Sequence, residues 1–154
     1  MAIAENDLIE SFGTETEVTT GPAEVTDGNY STADDMSEWT NADDAPHAMF
    51  RFVLTTAGLG AAPAGNCTLF ARCMNIDGAT DSVIPSDESP HLRIGTLVVN
   101  RLDADQENIH GPFKLPNYKT SSVFEFYIKN DMGTTTGTGW ELHVIPVTVG
   151  PHPA

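Results

Sequence analysis

Residues 122–129 read Ser-Val-Phe-Glu-Phe-Tyr-Ile-Lys, which is the clearest strand pattern in the chain. Phe124, Phe126 and Ile128 recur at every second position, so they share one face of an extended segment. Glu125 alternates with them and belongs to the opposite face. Because one face is apolar and the other is mixed, this stretch predicts a half-buried β-strand.

Segments with similar alternation lie on both sides of this stretch, separated by runs rich in Gly, Pro and polar residues. The predicted strands are His47–Thr55, Cys67–Ile76, Leu92–Asn100, Pro112–Leu115, Ser122–Lys129 and Trp140–Val149. Residues 101–108 read as a charged loop, and Pro146 is expected at a sheet edge or a bulge. No segment after residue 45 shows the 3.6-residue period of a helix. The pattern predicts an all-β fold, a single antiparallel β-sandwich resembling a jelly roll.

The first 45 residues differ from the rest in composition. They are poor in aliphatic residues and rich in Thr, Glu, Asp and Gly. A short helical turn is expected at Asn6–Ser11, and brief strands at Thr14–Thr20 and Ala23–Val25. We therefore divide the chain into an extended acidic N-terminal arm or edge region, residues 1–45, and a sandwich domain, residues 46–154.

The charge of the chain is strongly acidic and unevenly distributed. It has 22 acidic and 7 basic side chains, a net charge of −15. Residues 1–50 contain 12 of the acidic residues and no Lys or Arg. This balance argues against nucleic acid and acidic membranes as partners, since both are bound through Lys and Arg. It favours a partner with a basic surface, although acidic charge that only keeps a protein soluble is the alternative explanation.

Length, hydropathy and cysteine content further limit the class of protein this chain can belong to. The 154 residues suit one domain. No apolar run approaches the length of a membrane span, and the first residues lack the pattern of a signal peptide. Cys67 and Cys73 lie six positions apart on one predicted strand, roughly 20 Å from each other, which is too far for a disulfide. Two free thiols indicate assembly in a reducing cytoplasm.

The residues offer little that is typical of catalysis or of cofactor binding. The five histidines lack metal-ligand spacing, and the acidic doublets point to opposite faces of a strand. Asp103, Asp105 and Glu107 resemble the start of a calcium loop, but the required glycine and the closing glutamate are missing. We expect no enzyme activity and no cofactor, with an irregular calcium site at these three residues as a weak alternative to a solvated acidic loop.

Three stretches resemble a family of small virion proteins encoded by tailed bacteriophages. Residues 38–46 read Glu-Trp-Thr-Asn-Ala-Asp-Asp-Ala-Pro. Residues 69–81 read Leu-Phe-Ala-Arg-Cys-Met-Asn-Ile-Asp-Gly-Ala-Thr-Asp and lead into Pro-His-Leu-Arg-Ile-Gly at residues 90–95. Residues 124–133 are followed by Gly-Trp-Glu-Leu at residues 139–142. The resemblance spans roughly residues 38–149, and the N-terminal 37 residues match least well.

The resemblance implies a capsid decoration protein, also called a cement protein, on the virion surface. Such proteins bind and bridge major capsid subunits, and they are typically β-rich homo-oligomers, often trimers. The acidic arm is expected to carry the docking contacts, and the candidate partner-binding residues are Glu5, Asp7, Glu10, Glu15, Glu17 and Trp39. The alternatives are a host-recognition or carbohydrate-binding module of a tail or fibre and, less favoured, a β-sandwich lyase or hydrolase.

Overall fold

The computed structural model describes residues 8–54, 63, 65–89, 92–99 and 106–151. Within them the chain forms β-strands and one short 3₁₀ helix, Ala33–Asp35. The strands are β1 (Leu8–Phe12), β2 (Thr16–Glu17), β3 (Trp39–Thr40), β4 (His47–Leu54), β5 (Asn66–Met74), β6 (Arg93–Val98), β7 (Gln106–Lys114), β8 (Val123–Asp131) and β9 (Glu141–Pro151).

The strands form two antiparallel sheets. The first sheet has the order β1-β9-β4-β7, with β2 also paired to β9. The second sheet has the order β3-β8-β5-β6. β4 and β5 are each paired on both sides, so two of the predicted strands with the strongest alternation lie inside the sheets.

The pairing pattern identifies the topology. If β1 and β2 are counted as one interrupted strand, there are eight strands in chain order. The first then pairs with the last, β3 with β8, β4 with β7 and β5 with β6. A long hairpin that is folded over into two facing sheets produces this nested pairing, and it defines the eight-stranded jelly roll. The predicted all-β sandwich is confirmed.

The core lies between the sheets and is rich in aromatic side chains. Phe50 and Phe126 come from opposite sheets, and their rings meet edge to face with centroids 4.9 Å apart. Phe52 and Trp140 meet edge to face at 6.0 Å. These geometries are the favoured ones for aromatic pairs, so they add specificity to the stabilisation that apolar burial supplies.

Residues 8–45 are part of this sandwich. β1 and β2 extend the first sheet, and β3 extends the second. Val18 is fully buried in the core, and the Trp140 indole Nε1 donates a hydrogen bond to the Ala23 carbonyl at 2.9 Å. From Leu8 onward, therefore, the acidic segment forms sheet edges and core contacts rather than an arm beside the sandwich. Residues 1–7 lie outside the described residues.

Pro146 explains why the first strand is interrupted. It lies in β9, which is paired on both sides, and it has no N–H to donate to either neighbour. Opposite it the chain breaks between β1 and β2, and the Gly13 amide donates to the Pro146 carbonyl at 2.8 Å. A Cβ at Gly13 would lie 2.6 Å from Pro146 Cγ, so only glycine fits at this approach. Of the two positions expected for Pro146, the sheet edge is wrong, because β9 is paired on both sides, whereas the alternative of a strand irregularity is borne out in the segment opposite proline.

Three local predictions from the sequence were wrong. The helical turn at Asn6–Ser11 is replaced, from Leu8 onward, by β1, because pairing with β9 outweighs a weak local capping signal. Ala23–Val25 is not a strand. The loop expected at residues 101–108 ends earlier, since β7 begins at Gln106 and not at Pro112. β7 is an edge strand, where Pro112 is tolerated, and pairing with β4 sets its length.

The two cysteines are placed as expected. Cys67 and Cys73 are both free and buried on the core face of β5. Burial raises the pKa of the Cys67 thiol to about 12, so it is a packing residue and not a nucleophile at neutral pH.

Candidate functional site

The outer face of the second sheet is covered by the chain itself. The connection from β5 to β6 folds back across it at residues 75–89. Ser82 and Cys73 exchange two hydrogen bonds of 2.8 Å, one between backbone atoms and one from the Cys73 amide to the Ser82 hydroxyl. At the other end, Asp87 forms an ion pair of 3.0 Å with Lys129 on β8. We call residues 75–89 the covering loop.

An ion pair between two strands of the second sheet holds the covering loop against that sheet. Arg72 Nη1 lies 2.9 Å from Glu125 Oε2, and Arg72 Nε donates to the Ser82 carbonyl at 2.9 Å. The Tyr127 hydroxyl donates to the same Glu125 oxygen at 2.8 Å. Burial, together with this hydrogen bond, raises the pKa of Tyr127. Arg72 therefore joins two strands and the loop, and this side of the sandwich is closed.

The outer face of the first sheet has no comparable cover among the described residues. It carries apolar side chains on all four long strands. Phe12 on β1 is 63% exposed, Ile109 on β7 is 60% exposed, and Val149 on β9 is 48% exposed. Partly buried residues between them complete a surface that we call the open face, defined by Phe12, Met49, Val53, Ile109, Ile145 and Val149.

Strand register shows that these side chains share one face. Met49 is directly opposite Ile145, and Arg51 is opposite both His143 and Ile109. Directly opposed residues of antiparallel strands project to the same side of a sheet. The alternate residues of β4, from Ala48 to Leu54, are buried in the core, so the open-face residues point outward. β1 and β7 are the edges, and three strand spacings of about 4.8 Å separate them, roughly 14 Å.

A group of charged side chains crosses the open face, because the register places Arg51 and His143 between the Met49–Ile145 pair and Val53. Arg51 Nε donates to Glu15 Oε1 at 2.7 Å, and His143 Nδ1 lies 2.9 Å from the same oxygen. Glu141 Oε2 is 3.0 Å from His143 Nε2. Glu17 is paired in register with His143, which brings it to the same edge. Acids therefore outnumber the permanent cation here, and a partner with basic groups next to an apolar patch is complementary.

The structure sorts the predicted partner-binding residues into three groups. Glu10, Glu15 and Glu17 come together along the edge of the first sheet, beside the open face. Trp39 is instead buried in the core, stacked on Phe124 with centroids 6.2 Å apart. Its indole is not presented to a partner, because β3 pairs with β8 and turns the ring inward. Glu5 and Asp7 lie outside the described residues.

The suggested calcium residues cannot be assembled into a site from what is described. Asp103 and Asp105 lie outside the described residues, and Glu107 is described only as part of the backbone of β7. Across the described ranges, no group of three or more His, Cys, Asp and Glu side chains is arranged to hold a metal ion. In the same ranges, no helix is long and apolar enough to cross a membrane.

One histidine joins the sheets at the edge where β6 and β7 meet. The Val98 amide donates to His110 Nδ1 at 3.4 Å, which places the ring proton on Nε2. His110 Nε2 is buried and has no hydrogen-bond partner among the described residues. Burial lowers the pKa of His110, because the imidazolium would lose solvation.

We expect the sandwich to lose stability as the pH falls through the range in which His110 titrates. An unfolded histidine has a pKa of about 6.5, and the folded value is lower, so the unfolded chain takes up the proton first. The contribution of His110 is therefore complete above that value and is lost as the pH falls through the folded pKa. Thermal unfolding at pH 7 and pH 5.5 should show a smaller difference for H110N, whose amide oxygen can accept without titrating.

The matched control is H47N, which changes a histidine on the outward side of β4. It should keep the pH dependence of the natural chain. If H110N and the natural chain lose equal stability between the two pH values, the role assigned to His110 is wrong.

The sequence does carry one sign of the open face, which is apolar residues on the outward side of a predicted strand. In residues 47–55 the face opposite Phe50 and Phe52 carries Met49 and Val53, which is unusually apolar for a solvated surface. Phe12 lies in a segment read as polar, and Ile109 follows a stretch read as a loop. Their meeting on one face depends on β1 and β7 joining one sheet through β9 and β4.

Comparisons with known proteins add little to this description. No protein-family model matches the chain, and no curated protein matches it with significance. Among solved structures, a chain titled Desmodium yellow mottle tymovirus is matched at 13% sequence identity with a TM-score of 0.31. The match covers 100% of this chain and 93% of that one. A TM-score this low carries no argument, so the fold assignment rests on strand order alone.

Fold and surface together define a class of protein. The chain is a jelly-roll sandwich with one sheet covered by its own loop and the other sheet presenting an apolar face with an acidic edge. Exposed apolar side chains that share one sheet face with charged groups are typical of a protein-binding site.

Proposed function

We propose that this chain is a structural virion protein that binds the outside of a phage capsid and stabilises it by bridging major capsid subunits. The observation that carries the proposal is the asymmetry of the sandwich. One outer face is covered by a loop, which itself exposes Ile76, Val83 and Ile84, and the other presents apolar side chains directly on its strands. A protein that adds to a preformed shell needs one adhesive side and one side that remains in solvent.

The chemistry of the open face suits such a partner. Its apolar residues supply contact area, and the acids along its edge favour a basic surface at the approach. The free buried cysteines suit a protein that folds in the host cytoplasm before it joins the virion. The resemblance of residues 38–149 to small virion proteins of tailed phages points in the same direction, and it makes self-association into a trimer or another homo-oligomer part of the proposal.

The docking surface that we propose differs from the expected arm. Deleting residues 1–20 would remove β1, β2 and the fully buried Val18, and would leave an edge of β9 unpaired. If such a truncated chain failed to bind capsids, the result would not distinguish a loss of folding from a loss of the docking surface. Substitutions on the open face separate the two, and they replace the deletion as the test of where capsid binding resides.

A carbohydrate-binding module of a tail or fibre is the second candidate, since jelly rolls also occur in lectins. Sugar binding by such modules uses exposed aromatic rings as stacking platforms. Trp39, Trp140 and Tyr127 are all buried here, and Tyr30 and Tyr118 are packed against the core. The open face thus supports docking to protein better than stacking on sugar. We also propose that the chain acts by binding, without a catalytic step.

Adding the purified protein to capsids that lack it should give saturable, stoichiometric binding. The expected copy number is comparable to that of the major capsid subunit, and the coated shell should resist heating better than the bare shell. Sedimentation followed by quantitative gel analysis measures the first, and calorimetry of the particles measures the second. A few copies per particle, or binding to purified tails with none to capsids, would assign the chain to the tail instead.

A further inference from the structure

A pocket of about 370 Å³ lies at one end of the sandwich, where the edge of each sheet meets the other. Arg93 begins β6, Lys114 ends β7, and both contribute to its wall. The remaining lining residues are apolar: Leu92, Ile94, Leu115 and Pro116. The pocket thus combines an apolar floor with two cations.

The local packing explains why the pocket persists beside a tight contact. Gly95 on β6 lies against the Phe113 ring of β7, where a Cβ would be only 2.5 Å from Phe113 Cε1. Because residue 95 has no Cβ, β6 can approach the Phe113 ring this closely next to the pocket. Leu92 holds a positive φ of 58°, uncommon for a branched residue, while its carbonyl accepts from the Ala71 amide at 3.0 Å.

The two cations are unusual for such an acidic chain. Of the six Lys and Arg residues that the structure describes, Arg51, Arg72 and Lys129 form ion pairs with carboxylates. Within the described part of the chain, Arg93 donates to the Thr96 hydroxyl at 2.9 Å, and Lys114 has no carboxylate partner. In a chain with 22 acids, two cations without acids converge on one apolar pocket.

We propose that this pocket binds an acidic peptide segment of a partner protein. One apolar side chain of the segment occupies the floor, and neighbouring carboxylates meet Arg93 and Lys114. An extended segment suits a pocket that is open to solvent, because one side chain can enter the pocket while its neighbours remain near the two cations. The inference does not rest on the capsid function, and it runs opposite to the net charge, which repels acids at long range.

Ionic strength determines whether attraction by Arg93 and Lys114 outweighs the repulsion of an acidic peptide by the net negative charge of the chain. At 0.15 M salt the Debye length is about 8 Å, so most of the acids across the molecule are screened from the pocket. The two cations are within contact distance of a bound carboxylate and are screened much less. The peptide should therefore bind at physiological salt and lose affinity in very low salt, where the −15 net charge acts over a longer range.

The test is a titration of the full ¹⁵N-labelled chain with a capped six-residue peptide of alternating leucine and glutamate, followed by NMR. Chemical-shift changes are expected around residues 92–94 and 114–116. R93Q and K114Q should each weaken binding about threefold, as for exposed ion pairs, and the double variant about tenfold. Replacing the glutamates of the peptide with glutamine should weaken binding to the natural chain about tenfold.

The control is K119Q, which changes a lysine outside the pocket that donates to the Asn75 carbonyl. Its affinity for the peptide should equal that of the natural chain, and thermal unfolding should show all variants folded. Equal binding of the glutamine peptide, shift changes away from the pocket, or an equal loss in K119Q would overturn the proposal. Tighter binding of octanoate than of the peptide would also overturn it, in favour of a small carboxylate ligand.

Discussion

The double variant F12S/I109S is expected to bind capsids about 100-fold more weakly than the natural chain while remaining folded. Phe12 and Ile109 are the most exposed apolar side chains of the open face, and they lie on its opposite edges. Truncating a side chain that contributes to an interface costs more than about 1 kcal/mol, and the losses at separated positions add. Every 1.4 kcal/mol is tenfold in affinity, so two losses of about that size give about 100-fold weaker binding.

Both side chains project into solvent in the free protein, so the folded state should lose little when they become polar. Binding of labelled protein to bare capsids, measured by co-sedimentation over a range of concentrations, gives the affinities. Circular dichroism and the unfolding midpoint verify that the variant is folded.

The matched control is V83S/I84S on the covering loop. Val83 is 60% exposed and Ile84 is 42% exposed, so similar apolar surface is removed on the opposite side of the sandwich. This control should bind capsids like the natural chain. If both double variants bind normally, or if the loop variant loses binding and the open-face variant does not, the docking surface proposed here is wrong.

The largest expected effect on stability comes from R72M. Removing Arg72 leaves Glu125 buried beneath the covering loop, with the Tyr127 hydroxyl as its remaining donor, and leaves the Ser82 carbonyl without its guanidinium partner. Breaking one side of a buried ion pair costs about 3 kcal/mol, because the surviving charge stays desolvated. Urea unfolding should therefore show a lower free energy of unfolding by about that amount.

A second substitution separates two causes of the stability loss in R72M: the unpaired Glu125 carboxylate and the missing hydrogen bonds of Arg72. In R72M/E125L both charged partners are replaced by apolar groups, so no desolvated carboxylate remains, and stability should recover in part. R93M is the control, since Arg93 is exposed at the pocket and, among the described residues, its guanidinium donates to the Thr96 hydroxyl and not to a carboxylate. It should stay within about 0.5 kcal/mol of the natural chain. A double variant less stable than R72M would contradict the assignment of Glu125 as the source of the loss.

Core residues were predicted correctly in strands whose apolar residues occupy every second position and face the core on one side. Phe124, Phe126 and Ile128 were placed together, and the structure buries all three between the sheets. Side-chain period alone determines this result, because a strand that faces a core must direct every second residue into it. The same reasoning placed Cys67 and Cys73 on one face without a disulfide.

Prediction of the candidate surface was only partial, for a physical reason. Of the residues predicted to bind a partner, Glu10, Glu15 and Glu17 are exposed beside the open face, whereas Trp39 is in the core. A tryptophan in a polar, acidic segment has no local signal that distinguishes burial from exposure. Its position depends on a two-residue pairing with β8, in which Trp39 is opposite Phe124, 85 positions later in the chain (124 − 39).

The sequence by itself determined the sheet class, the single-sandwich architecture, the faces of the central strands and the acidic asymmetry, because each depends on local periodicity or on composition. The tertiary structure decided the nested pairing, the inclusion of residues 8–45 in both sheets, and the meeting of Phe12, Ile109 and Val149 on one face. It also decided that the loop after β5 covers one sheet and leaves the other open. These features come from hydrogen bonds and contacts between residues far apart in the chain, and a side-chain period of two carries no information about which strands become neighbours.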